Sequence, residues 1–105
     1  MPIKHKIDQH VLDDIAAKML TLSSQQEMKH FLEEILTNTE LYDLTKRWEL
    51  LQMLADGFTQ RKIAQDLHIS LCKITRGARI LKTKHSVCAR LHGKKAAPAG
   101  VPKQD

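Results

Sequence analysis

The sequence predicts an all-α fold, and three observations lead there. No stretch of any length alternates apolar and polar residues as a strand does. Only Pro2, Gly57 and Gly77 break the chain before Gly93. Apolar residues instead recur every three or four positions, in blocks introduced by good N-cap residues. Hydrophobic residues make up 42%, enough for a core, and aromatics only 4%, so that core is aliphatic.

The first helix is expected from about Asp8 to Thr21. Asp8 serves as its N-cap, and Val11, Leu12, Ile15, Met19 and Leu22 fall at helical spacing. The second follows Ser24, with Glu27 three residues on in a capping-box relation, and carries Met28, Phe31, Leu32, Ile35 and Leu36. The third starts at Thr37 with Glu40 in the same relation. It carries Leu41, Leu44, Trp48, Leu51 and Leu54, and Gly57 ends it. Two short helices follow, about 59–67 and 70–82, around the turn His68-Ile69-Ser70. Residues 83–92 fit no single assignment, though Val87 and Leu91 would suit one side of a short helix. Residues 93–105, GKKAAPAGVPKQD, form a low-complexity basic tail expected to be disordered. The chain therefore reads as one folded domain over 1–92, without internal repeats, plus a tail.

Charge divides the chain unevenly. Residues 1–59 carry 6 Lys/Arg against 10 Asp/Glu, residues 60–82 carry 6 against 1, and residues 83–105 carry 5 against 1. A basic end on an acidic front half suggests a polyanionic partner met by one end of the molecule. A solvated tail explains the last segment but not the charge inside 60–82. No apolar run approaches the roughly 18 residues of a membrane span, and MPIKHKIDQH lacks the apolar region of a secretory signal. Cys72 and Cys88 form no CxxC pair and read as reduced thiols of a cytoplasmic protein, with a disulfide as the lesser alternative.

Two short helices around a tight turn, the second one basic, have the geometry of a helix-turn-helix over about 59–82. Ala64 is small where the two helices must approach, Ile63 and Leu67 face inward, Ile69 plugs the turn, and Ile74 anchors the second helix. Thr59 and Ser70 can cap the helix starts, and His68 takes the left-handed turn position that glycine usually fills. An ordinary helical hairpin is the plain alternative, but the small, apolar and basic positions all agree with the DNA reader. Arg61 is then a candidate for a bidentate guanine contact, with Leu71, Cys72 and Lys73 facing base edges. Gln60, Thr75 and Lys82 suit phosphate contacts, which position rather than specify.

"KITRGARILK", residues 73–82, holds a glycine inside the second of these helices. Gly in a helix costs roughly 1 kcal/mol relative to Ala, so something must approach that backbone closely. Two other function classes are weaker. His85, Cys88 and His92 lie at i, i+3 and i+7 and could hold a soft metal, but no fourth ligand is evident. No Gly-rich phosphate loop, HExxH or nucleophile elbow appears, so an enzyme is not expected.

From about Leu36-Thr37 through Lys82 the sequence resembles the tryptophan repressor family. The most specific parts are "ITRG" at 74–77 and "TQR" at 59–61, with support from Arg47 and Gly57. The resemblance implies a Trp repressor-like helical bundle forming an intertwined homodimer. It implies a palindromic double-stranded DNA operator, and L-tryptophan as corepressor for control of tryptophan biosynthesis or uptake genes. It places the indole between Arg47 and Arg76, with Gly77 beside the ligand and Leu36 and Thr37 near its polar end. A guanidinium plane suits both an indole face and a carboxylate. Ile80 stands where the family more often has a serine, so a same-fold regulator that takes another ligand, or none, is the alternative. Ala64 stands where the family has a basic residue that can touch phosphate, and Cys72 and Lys73 are not the family's usual small residues of the reading turn, which points to a different operator sequence.

Overall fold

The computed structural model describes residues 5–92; the tail over 93–105 lies outside the described residues. Among these residues six helices follow in order: α1 (Gln9–Met19), α2 (Gln25–Ile35), α3 (Asn38–Ala55), α4 (Gln60–Leu67), α5 (Leu71–Lys82) and α6 (Val87–Leu91). Among the described residues there is no strand, and no helix is long and apolar enough to cross a membrane.

The caps set the boundaries. Asp8 accepts from the N–H groups of His10 at 2.9 Å and Val11 at 3.3 Å, which starts α1. Ser24 accepts from the N–H of Glu27 at 3.0 Å, while the Glu27 carboxylate reaches back to the N–H of Ser23 at 3.1 Å. That return arm lands one residue earlier than a standard capping box would place it. At α3 the box is complete: Thr37 accepts from Glu40 N–H at 3.1 Å, and Glu40 accepts from Thr37 N–H at 2.8 Å. Each such cap is worth about 1 kcal/mol. The end of α3 is a Schellman turn. Gly57, at φ +93°, donates to Leu54 O at 3.1 Å, and Phe58 donates to Met53 O at 3.0 Å.

The chain divides into two units inside α3, one up to Leu41 and one from Tyr42. In the first, α1 and α2 contain no buried residue. Val11 and Leu12 on the apolar side of α1 are about half exposed, at 54% and 48%. In the second, Leu50, Ile63 and Ile74 form a fully buried cluster joining α3, α4 and α5, with Met53, Leu54, Ala64, Leu67 and Ile69 packed around it. Two deeply buried aliphatic side chains such as Ile63 and Ile74 contribute roughly 1.5–3 kcal/mol each. Leu51 is also buried. The stripe predicted along the third helix ran through Leu51 and Leu54; Leu54 packs against the cluster as expected, but Leu50, one position before Leu51, is the residue of α3 inside it. Adjacent leucines leave the centre of a stripe ambiguous by one position, or about 100° around the helix.

The close approach expected at Gly77 is made by α3. A Cβ there would stand 3.1 Å from Leu50 Cδ2 and 3.2 Å from Leu54 Cδ1, tighter than ordinary contact. Helix α6 corrects another expectation. Val87 and Leu91 are both 56% exposed and do not form its packed side. Cys88 and Ala89 are half-buried instead, and His92 at its C-terminal end is buried. His85 lies before α6 at φ +61°, so His85, Cys88 and His92 do not share one helix face. Among the described residues no group of three His, Cys, Asp or Glu side chains could hold a metal ion. Both cysteines are free thiols.

Candidate ligand cleft and nucleic-acid interface

The turn between α4 and α5 aims the second helix. Thr59 accepts from Lys62 N–H at 3.1 Å and Ser70 from Lys73 N–H at 3.3 Å, so both helices begin on hydroxyl caps. His68 closes α4 in the left-handed region, at φ 55° and ψ 46°, and its N–H donates to Ala64 O at 2.9 Å. Histidine is tolerated there at a cost that glycine would avoid. Ile69 is half-buried and packs on the Leu50–Ile63–Ile74 cluster, which ties the turn to the core.

The side chains read as DNA contacts are all exposed. Leu71, Cys72, Lys73 and Thr75 occupy the first half of α5, and Gln60 and Arg61 open α4. Lys82 closes α5. Gln60 and Lys82 come together at the edge of a depression of about 430 Å³, floored by Leu54, Phe58, Ala78 and Leu81. Lys73 lies on another side of α5, where it lines a separate cleft. The N-terminal turn of α5 thus presents an exposed cation, which suits a phosphate-rich partner.

That separate cleft has a volume of about 260 Å³ and lies between α3, the α4–α5 turn and α5. Its apolar wall is formed by Leu50, Leu67, Ile69 and Ile80, with the bare backbone of Gly77. Arg47 from α3 and Arg76 from α5 both line it. Among the described residues neither guanidinium enters a salt bridge, including with Asp43, one turn from Arg47. The size falls just below the ~300–1,000 Å³ of drug-sized ligand sites, and suits a small molecule. Leu36 and Thr37 lie in the first unit, as the C-cap of α2 and the cap of α3. They are not among the residues that line the cleft.

Tyr42, Asp43 and Lys46 also line the cleft and were not singled out as ligand residues in the sequence. The signal that could have found them is helical spacing. Asp43 sits at i−4 from Arg47, and Tyr42 at i−4 from Lys46, on the side of α3 that Arg47 already marks. The Lys46 ammonium stands 5.6 Å from the Tyr42 ring centroid and 3.5 Å from a Glu49 carboxylate oxygen. Four cations, Lys46, Arg47, Lys73 and Arg76, thus face the cleft against one carboxylate, Asp43.

An all-α chain with a capped helix-turn-helix and a ligand-sized cleft behind its second helix belongs to the class of helix-turn-helix regulators. The sequence matches the Trp repressor protein family over residues 10–91, and the chain belongs to that family. It is a DNA-binding regulator of the Trp repressor family. Among similar proteins is a Trp operon repressor homolog of Chlamydia trachomatis (serovar D), 35% identical over 68 residues, covering 60% of this chain and 72% of the relative. A Trp operon repressor homolog of Xylella fastidiosa (strain 9a5c) is 43% identical over 56 residues, covering 52% and 61%. The uncharacterized protein YerC of Bacillus subtilis (strain 168) is 31% identical over 70 residues, covering 67% of each. No solved structure matches the chain significantly.

Proposed function

We propose that this protein is a homodimeric transcriptional repressor that reads a palindromic operator and uses L-tryptophan as corepressor. The observation that carries the proposal is that Arg47 and Arg76 line one small cleft directly behind the reading helix α5. Two guanidinium planes on opposite helices can hold a flat indole and bind its carboxylate. A ligand in that cleft touches α3 and α5 together, so it favours one pose of the reading helix. Occupancy acts as a population shift toward the DNA-competent pose. In a dimer the two reading helices must meet successive major grooves, about 34 Å apart, as helix-turn-helix dimers in general do.

The apolar residues exposed along α1, such as Val11 and Leu12, support a second copy as the partner that covers them. Leu71, Cys72, Lys73 and Arg61 are assigned to base edges, and Gln60, Thr75 and Lys82 to phosphates. Leu36 and Thr37 are assigned to the ligand's polar end when supplied by the second copy.

One observation favours a second reading. Ile80 lines the cleft and offers no hydroxyl to a ligand's amino group. Under that reading the same fold binds its operator with another ligand, or with none. Calorimetry with L-tryptophan separates the two. Saturable heat at micromolar to millimolar ligand, lost in Arg76→Ala, supports the corepressor reading. No heat at millimolar ligand sinks it and leaves the ungated regulator.

A further inference from the structure

The cleft's charge is lopsided, and a zwitterionic ligand is sensitive to that. Four cations line it, of which Lys46 is already paired with Glu49 at 3.5 Å, and an ammonium placed among the rest is repelled unless a negative group faces it. Asp43 is the single carboxylate lining the cleft, and among the described residues it makes no salt bridge. The other side-chain acceptors there are neutral or engaged. Ser70 accepts from Lys73 N–H at the start of α5, and the Tyr42 hydroxyl carries no charge. Ile80 contributes only methyl and methylene groups.

We propose that Asp43 supplies the negative charge that faces the ligand's ammonium group, beside Leu36 and Thr37 of the second copy at the polar end, so that the cleft takes an aromatic amino acid in preference to a plain aromatic carboxylate. This rests on the reading of the cleft as a tryptophan-type site. Asp43 and Arg47 lie one turn apart on α3, which lets one helix bind both charges of a zwitterion: the carboxylate by Arg47 with Arg76, the ammonium by Asp43. Charge-assisted hydrogen bonds of this kind are the strong ones. Without Asp43 the cleft becomes a purely cationic box and favours a molecule with a carboxylate alone.

The test is calorimetry of the full-length protein with L-tryptophan and with indole-3-propionate, the same skeleton without the amino group. Wild type, Asp43→Asn and Asp43→Glu are compared, with helicity checked by circular dichroism, since Asp43 is an exposed helix position. Wild type is expected to prefer tryptophan. In Asp43→Asn tryptophan affinity falls about tenfold or more, as for one lost charged hydrogen bond, while indole-3-propionate binds equally or better. Asp43→Glu restores part of the preference. Unchanged preference in a folded Asp43→Asn overturns the assignment alone. If wild type binds neither compound, the tryptophan-type reading falls and this assignment falls with it.

Discussion

His92 and Trp48 face each other across α6 and α3, with ring centroids 4.1 Å apart and planes tilted by 43°. The His92 Nδ1 lies 2.8 Å from the Gln52 side-chain oxygen, so Nδ1–H donates and Nε2 carries the lone pair. Nε2 is buried without a partner among the described residues. This pair, rather than the exposed Val87 and Leu91, fastens α6 to the helix that also bears Arg47. Burial holds the His92 pKa below its ordinary value, and the Asp56 carboxylate opposes that only in part.

The sign follows from linkage. The folded state resists protonating His92 and the unfolded state does not, so stability is full above the unfolded pKa of about 6.5 and falls as pH drops below it. The slope from this group is at most about 1.4 kcal/mol per pH unit. Urea melts at pH 7.5 and 5.5 should show wild type losing more on acidification than His92→Asn does. Equal losses in the two proteins would contradict the burial of His92.

Gly77→Ala should lower stability even though Ala is the better helix former by roughly 1 kcal/mol. Its Cβ would stand 3.1 Å from Leu50, which is itself 2% exposed and has little room to yield. Gly77→Val should be worse, by about 1–3 kcal/mol as in overpacked cores. A rise in melting temperature for Gly77→Ala would show that Leu50 and Leu54 can step aside.

His68 sits at φ 55°, a conformation with a steric cost for any side chain. His68→Gly should raise stability by up to about 1 kcal/mol, less whatever the added freedom of the unfolded chain removes. Thermal melts in the absence of DNA measure this. A loss of stability would mean the imidazole makes a compensating contact.

Arg61→Ala and Lys82→Ala should behave differently on DNA. The first should relax sequence preference at one base pair, costing about 1–3 kcal/mol against the preferred site. The second should weaken all sequences alike and reduce the log–log salt slope by about one. Binding to site variants over a salt series distinguishes the two. If Lys82→Ala altered preference instead, its assignment to phosphate would be wrong.

Much of this architecture was legible in the sequence because its boundaries are written locally. Asp8, Ser24, Thr37, Thr59 and Ser70 all cap helices as their positions suggest, and Gly57 closes α3. The turn and the paired arginines of the cleft were legible from spacing and resemblance together. What escaped depends on contacts far apart in the chain. The His92–Gln52 bond joins residues 40 apart, and a histidine after a short basic segment carries no local mark of burial. Leu50 was hidden beside Leu51.

The measurement that bears most directly on the central claim is titration of duplex binding against a library of palindromic sites, with and without L-tryptophan. The proposal predicts that one family of palindromes is bound as two half-sites by a dimer, and that L-tryptophan tightens this binding at least tenfold. Arg47→Ala or Arg76→Ala should abolish the tightening while leaving weak binding in place. Equal affinity and the same preferred sites with and without the amino acid would contradict the proposal. The chain would then be a regulator of this fold whose cleft serves another ligand or none.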